Sequence, residues 1–391
     1  MTYKLCNIAT ILVLLNFLLA IAFLGNADSM GLLRFLPFIS YILNLFVALL
    51  AYTTGSYCHS NISRLLVAFV YYFLLVSLFI PNNNYSRIMS FLMSTYWITS
   101  YFIISYLTSF EKWKSSIQTN VEKSFYLLFI FVIYSMLTTR NNILQDDVLT
   151  GSNTVFYSLL FIPWIATFPS KKKWITMACI IVITIMSIKR SAIIILIGSL
   201  LLMIFDRNGG VKGRARRLVI VFCAFFAVAT LYTPNSPIAD VITRFENLKE
   251  DGGNGRIDIY EDVIDAFKVQ PTINRIFGSG FLSVQNTLFS NYGYADYISA
   301  HNDFLEVLFD YGWIGFILYI SLHILLIRRC IILYKSRSEL FTPYMISYYL
   351  FLVMSSVSHL IIYPSYFLIL VAFWAHSDMT IGNRYNRISS T

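Results

Sequence analysis

The chain has 391 residues, of which 57% are hydrophobic and only 13% charged, with a mean hydropathy of +0.67. Soluble domains carry about 25% charged residues, so the composition excludes a soluble globular protein and indicates a polytopic membrane protein. The net charge of +9 would suit nucleic acid only if Lys and Arg clustered on a soluble face. They lie mostly in short segments between apolar runs, so no nucleic-acid partner is expected.

Taken in order, apolar runs suited to helical spans occur at 5–24, 32–54, 62–80, 87–109, 122–138, 153–169, 174–188, 191–205, 217–233, 312–330, 341–359 and 361–377, giving an all-α protein of about 12 transmembrane helices. The first run has a single preceding lysine and no small-residue cleavage site, so it reads as a retained span rather than a signal peptide. With the N-terminus placed in the cytoplasm, most of the 29 Lys and Arg fall on the cytoplasmic side, which puts both termini inside. Residues 1–233 then form an N-terminal bundle of about nine helices, 234–311 one large periplasmic loop with short helices, and 312–391 the last three helices and a cytoplasmic tail.

The segment 234–311 holds more than half of the 20 Asp and Glu. Within it, Arg256 opens a helical pattern that Asn254 can cap. Ile257, Tyr260, Ile264 and Phe267 are expected on its apolar face, and Pro271 ends it. Gly278-Ser279-Gly280 reads as a tight turn. Without a strand-turn-helix unit around it, it is no phosphate cradle. Cys6, Cys58, Cys179, Cys223 and Cys330 are scattered in or beside apolar runs, and neither a disulfide framework nor a metal site is expected.

Three features suggest chemistry. Ser299 is placed to cap a helix starting at Ala300, which would put His301 in its first turn, kept neutral by the helix dipole and able to accept a proton from a hydroxyl nucleophile. The alternative is a histidine that only hydrogen-bonds a loop backbone. Lys189-Arg190 lies between two spans on the outer side, where it either snorkels to headgroups or faces a polar cavity. Arg256, first in its helix, opposes the dipole unless an anion lies between. Two such arginines and a helix N-terminus on one membrane face suit a pyrophosphate. His59, His323, His359 and His376 have no partner at metal-ligand spacing and read as structural.

The run from Gly255-Arg256 through Gly278-Ser279-Gly280 to His301-Asn302-Asp303-Phe304-Leu305-Glu306 and Tyr311-Gly312-Trp313-Ile314-Gly315, with Ser187-Ile188-Lys189-Arg190-Ser191 upstream, resembles the shared signature of bacterial O-antigen polymerases and O-antigen ligases. The resemblance covers the whole topology, and its specific motifs cover about 187–315. It implies that Arg190 and Arg256 hold the pyrophosphate of an undecaprenyl-linked glycan donor, with Lys189 and Asn302 in the substrate-binding set. It also implies that His301 serves the acceptor hydroxyl and that the glycosidic bond forms with inversion and without metal or other cofactor. The expected partners are a lipid-linked oligosaccharide donor and acceptor, membrane lipid and a chain-length regulator protein. The expected setting is lipopolysaccharide synthesis at the bacterial inner membrane. The segments around Arg256 and His301 look closer to polymerases, and a ligase acting on lipid A-core is the alternative. A transporter would need ionisable or broken helices at mid-membrane, whereas the polar residues here gather outside.

Overall fold

The computed structural model describes residues 36–54, 59–80, 86–146, 154–187, 189–206, 255–294 and 298–388. The runs expected at 5–24 and 217–233, and the capping residue Asn254, lie outside them. All regular structure among the described residues is helical.

The bundle begins with α1 (Leu36–Thr53), α2 (Asn61–Phe79), α3 (Arg87–Thr108) and α4 (Glu111–Asp146). The run expected at 153–169 is broken into α5 (Val155–Leu160) and α6 (Ile162–Ala166), because Pro163 has no N–H to continue the ladder. Then come α7 (Ser170–Met186) and α8 (Arg190–Ile204). The segment expected to be external holds three helices, α9 (Arg256–Val269), α10 (Thr272–Phe277) and α11 (Ser283–Tyr292). The chain closes with α12 (Asp303–Lys335), α13 (Phe341–Val357) and α14 (Pro364–Ile388). Helices α2, α3 and α12 are long and apolar enough to cross a membrane. α12 has 33 residues, and the 23 that follow a break at Gly312 are about 35 Å long, over the roughly 30 Å hydrocarbon core, so the first turns can stand clear of it.

The bundle packs around α3, which lies against α1, α2 and α14. Trp97, fully buried, stacks on Phe367 at 4.5 Å between ring centroids and meets Phe69 edge-on. Ser100 and Tyr101 on the following turn donate to the Leu368 carbonyl and the Asp378 carboxylate of α14. Asp378 also pairs with Arg329 of α12 at 2.7 Å. With water absent, polar groups of this kind hold helices together because each would otherwise be unmet.

A second, smaller core joins α9, α11 and the start of α12 through Ile259, Val263, Ala266, Val284, Leu288, Ala300 and Phe309. The buried stripe of α9 is therefore Ile259, Val263 and Ala266, with the expected Phe267 half-buried and packed against it. Ile257 and Ile264 are exposed. Apolar residues occur on two sides of α9, and contact with α11 and α12 selects one of them.

These external helices are fastened to the bundle at Gly312. Its φ of +61° breaks α12 into two helical runs, a conformation that costs an L-residue with a side chain but not glycine. The break frees carbonyls of the first run. Ser279 N donates to Phe309 O and Gly280 N to Asp310 O, at 3.1 and 2.9 Å. The Gly278-Ser279-Gly280 turn thus docks directly on the kink, with Gly278 and Gly280 also at positive φ. A Cβ on Gly312 would lie 2.5 Å from the Ile276 carbonyl group. Tyr72 of α2 completes the joint, its hydroxyl shared between Tyr311 O at 2.6 Å and Phe277 O at 2.9 Å.

Candidate functional site

The first turns of α12 carry four polar side chains, and each reaches a different segment. Asn302, not Ser299, caps the helix: its Oδ1 accepts from Phe304 N and Leu305 N at 2.9 and 3.2 Å, and the helix begins at Asp303. Asn and Ser are comparably good caps, and here Ser299 is occupied elsewhere, its Oγ 3.2 Å from His359 Nε2. His301 consequently lies before the helix rather than in its first turn, with φ +51°. Such a left-handed non-glycine residue costs on the order of 1–3 kcal/mol and persists where its surroundings hold it. Tyr260 of α9 is one such hold, donating to His301 O at 3.3 Å.

The carboxylates that follow have structural partners. Asp303, fully buried, accepts from Leu360 N and Ile361 N and from the Tyr319 hydroxyl, so it fixes the turn between α13 and α14. Glu306 accepts from Ala300 N at 2.8 Å. Asp310 accepts from Leu282 N, Ser283 N, Val284 N and Ser283 Oγ, holding the start of α11 from another helix. Each of these carboxyl groups meets backbone N–H donors that burial would otherwise leave unsatisfied. The carboxylates of this stretch thus set the positions of the segments around His301.

Two cations face the histidine. Burial, then the charges of Arg256 and Lys189, lower the His301 imidazole from its ordinary 6.5 to about 4. It is therefore neutral at physiological pH, for a reason different from the helix dipole expected from the sequence. Arg256 is first in α9, as expected, and it reaches the C-terminal end of α13, donating from Nη1 to Val357 O at 2.7 Å. Asn302 Nδ2 donates to the adjacent Ser356 O at 3.2 Å. The dipole conflict at Arg256 is thus partly relieved by the negative end of a second helix. Lys189 precedes α8 and Arg190 opens it. Neither α8 nor α9 has a side-chain cap, so positive helix ends accompany the cations.

The structure therefore places His301 next to Asn302 and within electrostatic reach of Arg256 and Lys189, with Arg256 and Asn302 both bonded to the end of α13 and Arg190 one residue beyond Lys189. It adds a residue that the sequence reading set aside. His359 lies in the turn held by Asp303, buried, with its ring centroid 4.4 Å from that of His301. No local motif marks His359, because its proximity arises only when α13 and α14 meet the start of α12.

Residues 175–320 match a family model described as O-antigen ligase. Over that stretch the chain is similar to the O-antigen ligase and polymerase family. Its enzymes transfer glycans in polysaccharide and lipopolysaccharide synthesis, on substrates that are lipid-linked. The match contains Lys189, Arg190, Arg256, His301 and Asn302, and it ends before His359. No curated protein matches the chain.

Proposed function

We propose that the protein is a polysaccharide polymerase of the bacterial inner membrane, with both termini cytoplasmic and residues 234–311 periplasmic. It transfers a growing glycan from undecaprenyl pyrophosphate to the terminal sugar of a lipid-linked repeat unit. The observation that carries this reading is the half-buried His301, at positive φ just before the Asn302 cap and within electrostatic reach of Arg256 and Lys189, each at a helix start without a side-chain cap.

In this reading the donor pyrophosphate binds Arg256, Lys189 and Arg190, where a guanidinium fork and helix N-termini suit phosphate oxygens. The acceptor hydroxyl attacks the anomeric carbon from the face opposite the pyrophosphate and gives its proton to the His301 imidazole. The anomeric C–O bond breaks, and undecaprenyl pyrophosphate leaves with the electron pair. Binding also tunes the base. A value near 4 makes imidazole a weak acceptor, whereas an anion beside Arg256 and Lys189 offsets the charges that depress it and moves it toward neutrality, where general-base catalysis is most effective.

The match to the O-antigen ligase family model also supports a second reading, a ligase that moves finished polysaccharide to lipid A-core. Lipopolysaccharide from a His301→Ala strain, separated on a gel, distinguishes them. Loss of a polymerase leaves core capped with a single repeat unit. Loss of a ligase leaves bare core while long chains accumulate on the lipid carrier. A normal long-chain ladder counts against both.

A further inference from the structure

Away from His301, at the opposite end of α9, the external helices enclose a cleft of about 590 Å3 between the end of α9, α10 and α11. From Arg256, α9 runs 14 residues to Val269 at the cleft, or about 20 Å. The volume lies within the roughly 300–1,000 Å3 usual for organic ligands. Its polar wall consists of amides and hydroxyls, from Gln270, Asn274, Ser279, Asn286 and Asn291 among others, and among the described residues none in the lining is a carboxylate or a cation. Tyr292 and Phe309 add aromatic surface. Gln270 Oε1 is buried and has no hydrogen-bond partner among the described residues, which leaves an acceptor unmet in the wall.

This chemistry selects a class of ligand. An amide offers donors and an acceptor together, and a hydroxyl does both, so a wall of such groups matches a molecule whose own hydroxyls donate and accept. Aromatic rings cover the apolar faces of such a molecule. An anionic ligand finds no cation in the wall, and Asp262 and Asp265 of α9 lie close enough to act on Tyr292. The cleft therefore suits uncharged sugars. We propose that it binds the neutral glycan of the lipid-linked substrate, several sugars away from the bond being formed. This rests on the transfer reading above, and it adds a second contact that holds the chain while its reducing end lies at His301.

The test uses the full-length protein in detergent and, as probe, the lipid-free oligosaccharide released by mild acid from the producing cell's surface polysaccharide. Binding is followed by titration calorimetry and folding by thermal melting. Wild type and His301→Ala should bind the probe alike. Asn274→Ala, Tyr292→Ala and the isosteric Asn291→Asp should each melt normally and bind about tenfold or more weakly, the loss expected when buried polar pairing fails. In cells the same variants should shorten the surface polysaccharide. Unchanged affinity and chain length in all three would overturn the proposal, as would a wild-type protein that takes up no probe. Cleft-dependent binding by a protein that transfers no glycan would sink the transfer reading and leave the cleft standing. Normal transfer with cleft variants indistinguishable from wild type would do the reverse.

Discussion

The rings of His301 and His359 lie 4.4 Å apart between centroids, inclined at 32°, although one belongs to the start of α12 and the other to the turn after α13. His301 is the proposed base, and His359 limits the positions its ring can take. His301→Ala should insert and fold yet lose about 10²–10⁴-fold in transfer rate, the usual worth of a positioned proton acceptor. His359→Ala should lose less, and chiefly in kcat, because it loosens the ring without removing it. His359→Phe, which restores bulk, should recover part of the loss. Equal losses from His301→Ala and His359→Ala, with no recovery, would mean that His359 has a chemical role of its own.

A second expectation concerns pH. His301 is held near 4 instead of 6.5, and kcat/KM reports the free enzyme. The proton acceptor is thus present from neutral pH down to about 5, and kcat/KM should fall only as the pH drops through about 4. Removing a neighbouring cation raises the imidazole value, so Lys189→Gln should move the acid limb to higher pH. An acid limb at 6.5 in the unaltered protein would contradict the assignment. The sign for stability follows: the unfolded chain takes up this proton first, so the folded state loses stability between about 6.5 and 4.

Arginine geometry gives a third test. Arg256→Lys keeps a charge and one donor for Val357 O but loses the planar fork. Transfer should fall at least about tenfold while the melting temperature changes little. Arg190→Lys should behave similarly. Full activity in both Arg190→Lys and Arg256→Lys would remove the pyrophosphate assignment.

The kink makes a fourth prediction. Gly312→Ala places a methyl against the backbone of Ile276 and Gly278 in a conformation unfavourable for alanine. Neither neighbour is a side chain that can swing away. The variant should be poorly folded, and protease should cut the external helices while the bundle stays intact. Wild-type resistance would show that the joint tolerates displacement.

Much of this architecture follows from patterns of apolar residues and breakers. The runs at 62–80, 87–109, 191–205 and 341–359 correspond closely to α2, α3, α8 and α13, since each is bounded by polar or turn residues. Arg256 opens its helix, and Pro271 follows the end. Sequence alone did not decide choices between equivalent local options. Ser299 and Asn302 are both competent caps, and only the turn containing His359 engages Ser299. Ile257 and Ile259 are equally apolar, and tertiary contact alone selects the second. As candidates, Lys189 stood out because charge beside an apolar span is costly, Arg256 because a cation at a helix start opposes the dipole, and His301 because it was expected in a helix's first turn. His359 was not, because a lone histidine after a span carries no such signal.

The hydroxyl of Tyr72 touches both Phe277 O and Tyr311 O, although it belongs to α2 and neither carbonyl does. A chimera that exchanges the external helices between relatives at breakpoints near 255 and 311 therefore separates the exchanged piece from one of its fastenings. Grafts that carry residue 72 along with the donor segment should assemble where simple cassette swaps fail.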